Sequence, residues 1–332
     1  MNHSFRSLHC LSPAVFCCTT GLAALFAFVD IGVAADGEST VAAHDEYVYM
    51  IRFSRDGQAM ATAAGDNTAV IWDWPEPKKR HVLKHDAAVY AAVFSPDGRQ
   101  VATASGDGFV TLWDAADGKQ IRREKQHADA VYCIDYSGDG LQLASIGGHG
   151  RKGDTTCRVW TVASLSVAHS YPGHDRPAYG VRFAPNGKDV ITSGGDKRIR
   201  LTGLADGESR ELTRHTSDVY RFDMTADGRT LASTSQDSSV RVWDVGAGKV
   251  IALLQESKDP TYDVAFSADG KQLAVVGDDG TVRFWRTTDY TLTQAKKLAS
   301  EGLFALAWTP DQQQVVAAGV DGQLYFTRSA ER

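Results

Sequence analysis

Histidine, serine, threonine and aspartate recur in this chain at spacings that could support nucleophilic or acid–base chemistry. A hydroxyl beside an imidazole and a carboxylate is the constellation that nucleophilic catalysis needs. A His precedes a Ser or Thr by 18 residues in five pairs, which are His44 and Thr62, His85 and Thr103, His127 and Ser145, His174 and Thr192, and His215 and Ser233. Five copies at one spacing indicate a repeated structural role, because an active site needs only one.

The aspartates follow the same rule of repetition. In seven places an Asp lies six residues before a Trp or before the equivalent position, and these are Asp66, Asp107, Asp154, Asp196, Asp237, Asp279 and Asp321. No metal-spaced Cys/His cluster and no CxxCH haem motif occurs in the sequence. The sequence therefore predicts no catalytic residue, no metal and no cofactor.

The elements that position these residues are short strands joined by a recurring turn. The segment Phe94-Ser95-Pro96-Asp97-Gly98 returns in seven variants, roughly 40 to 47 residues apart. Its Gly supplies the positive φ that a tight turn requires, and Gln312 replaces it in the seventh copy, so we expect a looser or different turn there. Four segments with period-two alternation surround each turn. This pattern predicts an all-β fold with seven four-stranded antiparallel blades.

The unit formed by His85, Thr103, Asp107 and Trp113-Asp114 resembles the WD repeat. The resemblance covers about residues 37–330 and implies a seven-bladed β-propeller in residues 36–332, with repeats near 44–73, 85–114, 127–160, 174–203, 215–244, 257–285 and 299–327. In that family a His, a hydroxyl, an Asp and a Trp form a hydrogen-bonded tetrad inside the blade. The resemblance thus implies structural tetrads at His44/Thr62/Asp66/Trp72, His85/Thr103/Asp107/Trp113, His127/Ser145/Asp154/Trp160 and His215/Ser233/Asp237/Trp243.

The other repeats depart from this pattern. Repeat four has Thr202 at the Trp position, repeat six has Ser257 and Val275 for the His and the hydroxyl, and repeat seven has Ala299, Ala317 and Thr327. We expect apolar packing to hold blades six and seven and both to be the least regular. Repeat seven also lacks an outer strand, whereas residues 38–43 form a strand-like segment with no blade before it. The N-terminal strand should therefore complete the last blade and close the ring.

The N-terminal 35 residues differ in composition from the rest. One basic residue, Arg6, precedes an apolar stretch that ends in Gly32-Val33-Ala34-Ala35. This pattern predicts a secretory signal peptide at residues 1–35 and an exported protein, periplasmic or secreted, without stable membrane insertion after cleavage. An uncleaved anchor is the alternative, because about 20 apolar residues would span a bilayer. Cys133 and Cys157 are the cysteines left after cleavage, and a strand between them should keep them about 10 Å apart and unbridged.

An aromatic residue follows each His position by five residues, at the start of the innermost strand. We call this set the aromatic collar, and it comprises Tyr49, Tyr90, Tyr132, Tyr179, Tyr220, Tyr262 and Phe304. The resemblance implies that this position lies on the top face of the propeller and grips partners, and aromatic surfaces are typical of binding hot spots. The same repetition is also expected if the aromatic residues only pack against their neighbours around the channel.

Repeat three carries five extra residues within Gly147–Gly153. Its glycines, with Arg151 and Lys152, could cradle an anion. A mobile surface loop is the simpler interpretation, because the segment does not match a phosphate-binding loop.

Taken together, the sequence predicts a monomeric, non-catalytic scaffold with a protein or peptide partner on its top face. The net charge of −6, which is unchanged without residues 1–35, argues against a nucleic-acid binder. One alternative is a small-ligand sensor that uses the collar at the channel mouth. The other is a propeller enzyme, which would need convergent charged or metal-binding side chains where the sequence offers tyrosines.

Overall fold

A computed structural model describes residues 39–150 and 153–330 and the backbone of Gly32–Val33. The described residues form strands and turns and contain no α-helix. Accordingly, none of them belongs to a helix long and apolar enough to cross a membrane. The all-β prediction is confirmed.

The strands form seven antiparallel sheets, which we number as blades 1 to 7 in chain order. Blade 1 contains β3–β6, blade 2 β7–β10, blade 3 β11–β14, blade 4 β15–β18, blade 5 β19–β22, blade 6 β23–β26, and blade 7 β27–β29 together with β2 and β1. The bounds are β1 Gly32–Val33, β2 Ser39–Ala42, β3 Val48–Phe53, β4 Ala59–Ala64, β5 Thr68–Asp73, β6 Lys78–Lys84, β7 Val89–Phe94, β8 Gln100–Ser105, β9 Phe109–Asp114, β10 Gln120–Lys125, β11 Val131–Tyr136, β12 Gln142–Gly147, β13 Cys157–Thr161, β14 Ser166–Tyr171, β15 Ala178–Phe183, β16 Asp189–Gly194, β17 Arg198–Gly203, β18 Ser209–Thr213, β19 Val219–Met224, β20 Thr230–Ser235, β21 Val240–Asp244, β22 Lys249–Leu254, β23 Thr261–Phe266, β24 Gln272–Gly277, β25 Thr281–Arg286, β26 Leu292–Lys297, β27 Leu303–Trp308, β28 Val315–Gly319 and β29 Gln323–Thr327.

The first strand of each blade contacts the first strand of the next, and β27 returns to contact β3. These seven inner strands therefore enclose a central channel. Side chains on the faces of the sheets fill the space between blades, and Trp72, Trp160 and Trp243 are among the largest that are fully buried there. Burial of these apolar faces is the main force that holds one blade against the next. The seven-bladed propeller is confirmed.

Blade 7 is assembled from both ends of the described chain. Strand β2 pairs antiparallel with β29, with Val41 opposite Leu324, and both side chains are buried. This pairing removes two open sheet edges, as expected. Blade 7 differs from the prediction of four strands because β1 adds a fifth by pairing with β2. An outer strand presents free backbone groups, and Gly32–Val33 pairs with those of β2. Strand β1 lies within the predicted signal peptide, whose other residues lie outside the described part of the chain.

Two expectations about irregularity are wrong. Gln312 adopts a φ of 59° and its amide donates to the Thr309 carbonyl, which is the same turn that Gly57 makes with Ser54. The Gln312 side chain adds bonds of its own, from Nε2 to the Thr309 carbonyl and from the Ala268 amide to Oε1. These bonds offset the strain of a left-handed conformation.

Blade 6 has the same strand order as the other four-stranded blades, and the inner three strands of blade 7 pair in the same way, with no extra breaks in the inner ladders of either blade. The departure of blade 7 is its outer side, where β2 and β1 come from the other end of the described chain. Apolar packing does replace the missing polar residues, because Val275, Ala299 and Ala317 are all buried. A well-packed apolar substitution can be nearly neutral when both polar partners are replaced together. The irregular sequence of these repeats therefore does not produce an irregular backbone.

Candidate functional site

Blades 1 and 5 contain complete hydrogen-bonded tetrads, in which the His and Asp lie in loops and the hydroxyl and Trp lie on the second and third strands. In blade 5, His215 contacts Asp237 through Nδ1 at 3.0 Å and Ser233 through Nε2 at 2.8 Å. The Trp243 indole N–H donates to the same hydroxyl at 2.9 Å. Blade 1 repeats this arrangement with His44, Thr62, Asp66 and Trp72. The hydroxyls are inaccessible to solvent, so these groups satisfy buried polar atoms and are not available as nucleophiles.

The tetrad of blade 2 differs from the expectation at its aspartate. His85 bonds Thr103 through Nε2 at 2.8 Å, but its Nδ1 lies 3.2 Å from the Leu83 carbonyl. Asp107 instead binds Arg123 and Ser105, each at 2.6 Å. A charged guanidinium forms a stronger bond to a carboxylate than a neutral imidazole does, and it displaces His85. Burial lowers the pKa of His85 to about 4, which keeps the ring neutral.

In blade 3 an arginine lies between the histidine and the aspartate. Arg158 Nη1 is 2.9 Å from His127 Nδ1, and its Nη2 is 2.9 Å from Asp154, whereas the His127–Asp154 distance is 3.7 Å. Ser145 still bonds both His127 and Trp160. Burial, with the adjacent guanidinium, lowers the pKa of His127 to about 4.

Blade 4 retains part of the tetrad. His174 keeps its bonds to Asp196 at 2.7 Å and to Thr192 at 2.9 Å, although no Trp is present. At the Trp position, the Thr202 hydroxyl is bonded to the Ser209 hydroxyl at 2.7 Å. The histidine and its two partners therefore persist without the indole.

The aromatic collar is positioned by a bulge in each inner strand. The ladder between the first and second strands of every blade shifts register at the collar residue, for example between Val48 and Met50 in blade 1. A bulge turns its extra residue out of the regular alternation. All seven side chains are therefore directed to the rim of the channel rather than into the space between blades.

The seven aromatic rings form a closed circle of contacts. Each ring lies beside the next, with centroids 4.8 to 6.3 Å apart, including Phe304 beside Tyr49 across the closure. Tyr47, which is 41% exposed, packs against both Tyr49 and Phe304. Each edge or offset contact stabilises the collar by about 0.5–1.5 kcal/mol. The circle is thus a packed structural unit.

The collar is also accessible, because all seven members are half-buried rather than buried. The Tyr179 hydroxyl donates to Asp218 at 3.2 Å and the Tyr262 hydroxyl donates to Asp278 at 3.1 Å. Burial raises the pKa of Tyr179, Tyr220 and Tyr262, so these phenols stay protonated. The mouth of the channel therefore combines aromatic area with neutral hydroxyl groups and a few carboxylates.

Charged side chains converge in the channel below the collar, where the sequence had predicted none. We call this set the channel cluster, and it comprises Arg52, Arg182, Arg221, Asp135, Asp223, Asp263 and Cys133. Arg182 forms an ion pair with Asp223, and Arg221 donates to the Cys133 sulfur at 2.8 Å. The expectation that the channel offers only tyrosines is therefore wrong.

The aspartates of the channel cluster connect neighbouring blades. Asp135 accepts from the Phe183 amide at 3.0 Å, Asp223 from the Phe266 amide at 2.8 Å, and Asp263 from the Leu306 amide at 3.0 Å. The sequence signal was present, because charged residues at one or three positions after a collar residue interrupt an otherwise apolar inner strand. Asp223 and Asp263 are buried, and their hydrogen bonds to the neighbouring blades, together with the ion pair of Asp223, offset the cost of burying these charges.

The other predicted site elements contribute less. Arg151 and Lys152 lie outside the described residues. Cys133 and Cys157 are both free and buried. Within the described residues no group of three His, Cys, Asp or Glu side chains could hold a metal ion. The aromatic collar at the channel mouth and the channel cluster below it are thus the main chemical features of the described residues.

Comparisons with known proteins agree with this architecture. The family model described as "WD domain, G-beta repeat" matches residues 38–73, 77–114, 118–161, 165–202, 207–244 and 248–286. One subunit of chromatin assembly factor 1 from Gallus gallus is 29% identical over 135 residues, which are 32% of this chain and 24% of that protein. Periodic tryptophan protein 2 of Arabidopsis thaliana is 28% identical over 102 residues, 30% of this chain and 11% of the relative. WD repeat-containing protein 1 of Xenopus tropicalis is 28% identical over 102 residues, 30% of this chain and 17% of the relative. The chain matches less than a quarter of the length of these relatives.

Proposed function

Because the chain belongs to the WD40 repeat family, we propose that it is a non-catalytic scaffold that holds a protein or peptide partner on its aromatic collar. The observation that carries this proposal is the closed and half-exposed circle of seven aromatic side chains. Such a surface loses little conformational entropy on binding, because its rings already hold each other in place. It also resembles the centre of protein interfaces, where Tyr is enriched.

The remaining features support a binding protein rather than an enzyme. The repeated His, Ser/Thr and Asp residues are engaged with one another inside the blades. The net charge of −6 disfavours nucleic acid as the partner. We also propose that the protein is a monomer and that residues 1–35 direct its export, on the pattern of those residues. Mass spectrometry of the mature N-terminus tests the export proposal, and an intact residue 1 would contradict cleavage.

A crosslinked pull-down from the native cell envelope tests the scaffold proposal. The wild-type protein is compared with a triple Tyr90→Ala, Tyr132→Ala and Tyr220→Ala variant that still melts cooperatively. We expect a partner captured by the wild type to be lost in this variant. The matched control replaces the same residues by Phe, which preserves the aromatic faces and removes the hydroxyls. If the Phe variant still captures the partner, the aromatic faces of the collar bind it. If capture is lost, the tyrosine hydroxyl groups are required.

Equal capture by the wild type and the Ala variant would contradict the proposal and assign the collar a packing role alone. The small-ligand sensor is the outcome if no protein is captured. A thermal-shift screen then distinguishes it, because a stabilising small molecule should lose its effect in the Ala variant.

A further inference from the structure

The outer strands of blades 1 and 2 carry an excess of positive charge, although the net charge of the chain is −6. Strand β6 contains four Lys and Arg residues and no acid, and strand β10 contains three and one acid, Glu124. The outer strands of the other blades contain at most two cations each. Positive charge on the outside of the ring is therefore concentrated on two neighbouring blades.

Five of these seven cations have no carboxylate partner among the described residues. Arg80 pairs with Asp73, and Arg123 pairs with Asp86 and Asp107. The other five are exposed and form no ion pair with a described residue. We call them the basic edge, and they are Lys78, Lys79, Lys84, Arg122 and Lys125.

Nearby carboxylates do not cancel this charge. Glu124 is half-buried and is the one acid on the two strands. Glu76 and Asp114 precede β6 and β10, at the end of each blade opposite the collar, and neither forms an ion pair with a described residue. Five unpaired cations therefore lie along the strands against one carboxylate there and two at the strand ends.

Exposed aliphatic side chains accompany the cations on both strands. Val82 on β6 is 48% exposed and Ile121 on β10 is 49% exposed. The two edges are connected, because His81 Nε2 lies 2.8 Å from the Ala116 carbonyl oxygen in the turn before β10. Two neighbouring blades of a convex ring can touch one flat surface at the same time. Cations next to exposed aliphatic groups are typical of surfaces that bind anionic membranes.

The edge of blade 5 shows that apolar exposure alone does not create this combination. Ile251 and Leu253 on β22 are each 50% exposed, but Lys249 is the one cation of that strand. Nucleic acid fits the basic edge less well, because single-stranded sites use accessible aromatic faces for stacking. The ring of Phe109 on this edge is covered by the Arg123 guanidinium, 3.9 Å from the ring centroid.

We propose that the basic edge binds the surface of a lipid bilayer with anionic headgroups, and that Val82 and Ile121 enter its interfacial region. Each Lys or Arg near such a surface strengthens binding roughly fivefold, so five unpaired cations support reversible binding without a membrane-spanning segment. The collar faces the channel mouth and stays open to a partner when the outer edge of the ring contacts the bilayer. The proposal goes beyond the scaffold function and does not rest on it.

Sedimentation of the full chain with vesicles tests the proposal. Vesicles of phosphatidylcholine alone are compared with vesicles that also contain phosphatidylglycerol. The protein should sediment with the anionic vesicles at low ionic strength and be released by salt, because exposed charges are screened. Binding through the apolar N-terminal segment would be similar for both vesicle types. Equal binding to the two, or no binding to either, would overturn the proposal.

Removal of charge tests the residues of the basic edge. A variant with Lys78→Gln, Lys79→Gln and Lys84→Gln should bind anionic vesicles at least about tenfold more weakly. The matched control removes three exposed cations from turns of blades 4, 5 and 6, by Lys188→Gln, Arg229→Gln and Lys271→Gln. Both variants change the net charge equally. The same loss of binding in both would therefore contradict a role of the basic edge.

The aliphatic side chains distinguish a bilayer from a polyanion. Val82→Ser with Ile121→Ser should weaken vesicle binding several-fold, whereas Ile251→Ser with Leu253→Ser on blade 5 should leave it unchanged. A short duplex DNA provides the second ligand. DNA binding without vesicle binding would assign the basic edge to nucleic acid and overturn the proposal. If the protein binds both, an equal effect of the first pair of substitutions on DNA and on vesicles would also contradict it.

Discussion

Blades 5 and 6 are neighbours with the same strand order, but their interiors are held by different interactions. In blade 5, Ser233 bonds both His215 and Trp243. In blade 6 the equivalent position is Val275, which packs in an apolar cluster with Val264, Phe266 and Trp285. Two chemically different interiors thus support one backbone.

The difference between these blades extends to the charges of the loops. Asp237 contacts a histidine in blade 5, whereas Asp279 in blade 6 forms an ion pair with Arg283. In blades 2 and 3 arginines also bind the aspartate, although the histidine is present. The aspartate is therefore the constant requirement of the loop, and its partner can change. The tetrad is one way to satisfy buried polar groups and is not what shapes the blade.

The largest effect is expected in blade 7, where apolar packing also closes the ring. Deleting residues 38–43 removes β2, its ladder with β29 and the buried Val41. The free energy of unfolding should fall by at least about 3 kcal/mol, because a buried aliphatic side chain contributes about 1.5–3 kcal/mol and each hydrogen bond about 1 kcal/mol. Urea denaturation measures this loss. An unchanged melting transition after the deletion would contradict the closure of blade 7 by the N-terminal strand.

Exchanging the residues that distinguish blades 5 and 6 should produce the next largest effect. Ser233→Val in blade 5 leaves His215 and Trp243 without their shared partner and should cost about 2–3 kcal/mol. Val275→Ser in blade 6 places a hydroxyl in an apolar cluster and should cost about 1–3 kcal/mol. The same denaturation measurement applies to both. A neutral Ser233→Val variant would show that the tetrad contributes nothing to stability.

Low pH should destabilise the protein through the buried histidines of blades 2 and 3 rather than through blades 6 and 7, which have no histidine at this position. The folded-state pKa of His127 is about 4, below the unfolded value near 6.5, so the unfolded state binds more protons between these pH values. The stability that depends on neutral, buried His127 is fully present above pH 6.5. It is lost as the pH falls toward 4, by up to about 1.4 kcal/mol per pH unit. His127→Gln should make unfolding less sensitive to pH between 7 and 5, and an unchanged slope would exclude this role.

The smallest effect is expected at Gln312 in the turn of blade 7. Gln312→Gly relieves a positive φ but removes two side-chain hydrogen bonds, whereas Gln312→Ala removes the bonds and keeps the strain. The Gly variant should therefore be more stable than the Ala variant by about 1 kcal/mol. Thermal unfolding of the pair measures the difference, and an Ala variant at least as stable as Gly would mean that the turn is unstrained.

Most of the fold was predictable from local patterns. Period-two alternation predicts the strands, the Asp-Gly turns predict their connections, and the missing outer strand of repeat seven predicts closure by residues 38–43. The collar positions also follow from the repeat. The bulge that exposes them was not predicted, because a bulge depends on how two strands pair rather than on either sequence alone.

The channel cluster shows where local patterns become insufficient. Arg221 and Cys133 are 88 residues apart in sequence and belong to different blades. Their contact depends on the number of blades, which sets the width of the channel and decides which side chains face one another. The partner of Asp107 was also not predictable from local patterns. Arg123 and His85 compete for this one carboxylate, and in the folded protein Arg123 binds it while His85 bonds the Leu83 carbonyl.

Repeat periodicity and turn residues are enough to specify seven similar blades, the position of each turn, and the end of the chain that supplies the last strand. The blades and turns depend on residues within about 40 positions of one another. The closing strand follows because the repeat pattern leaves the last blade one strand short, although Val41 and Leu324 lie at opposite ends of the propeller sequence. The packed yet accessible collar and the charges gathered below it became evident only in three dimensions. Both properties arise when ring closure brings distant inner strands around one channel, where burial and charge act across space rather than along the chain.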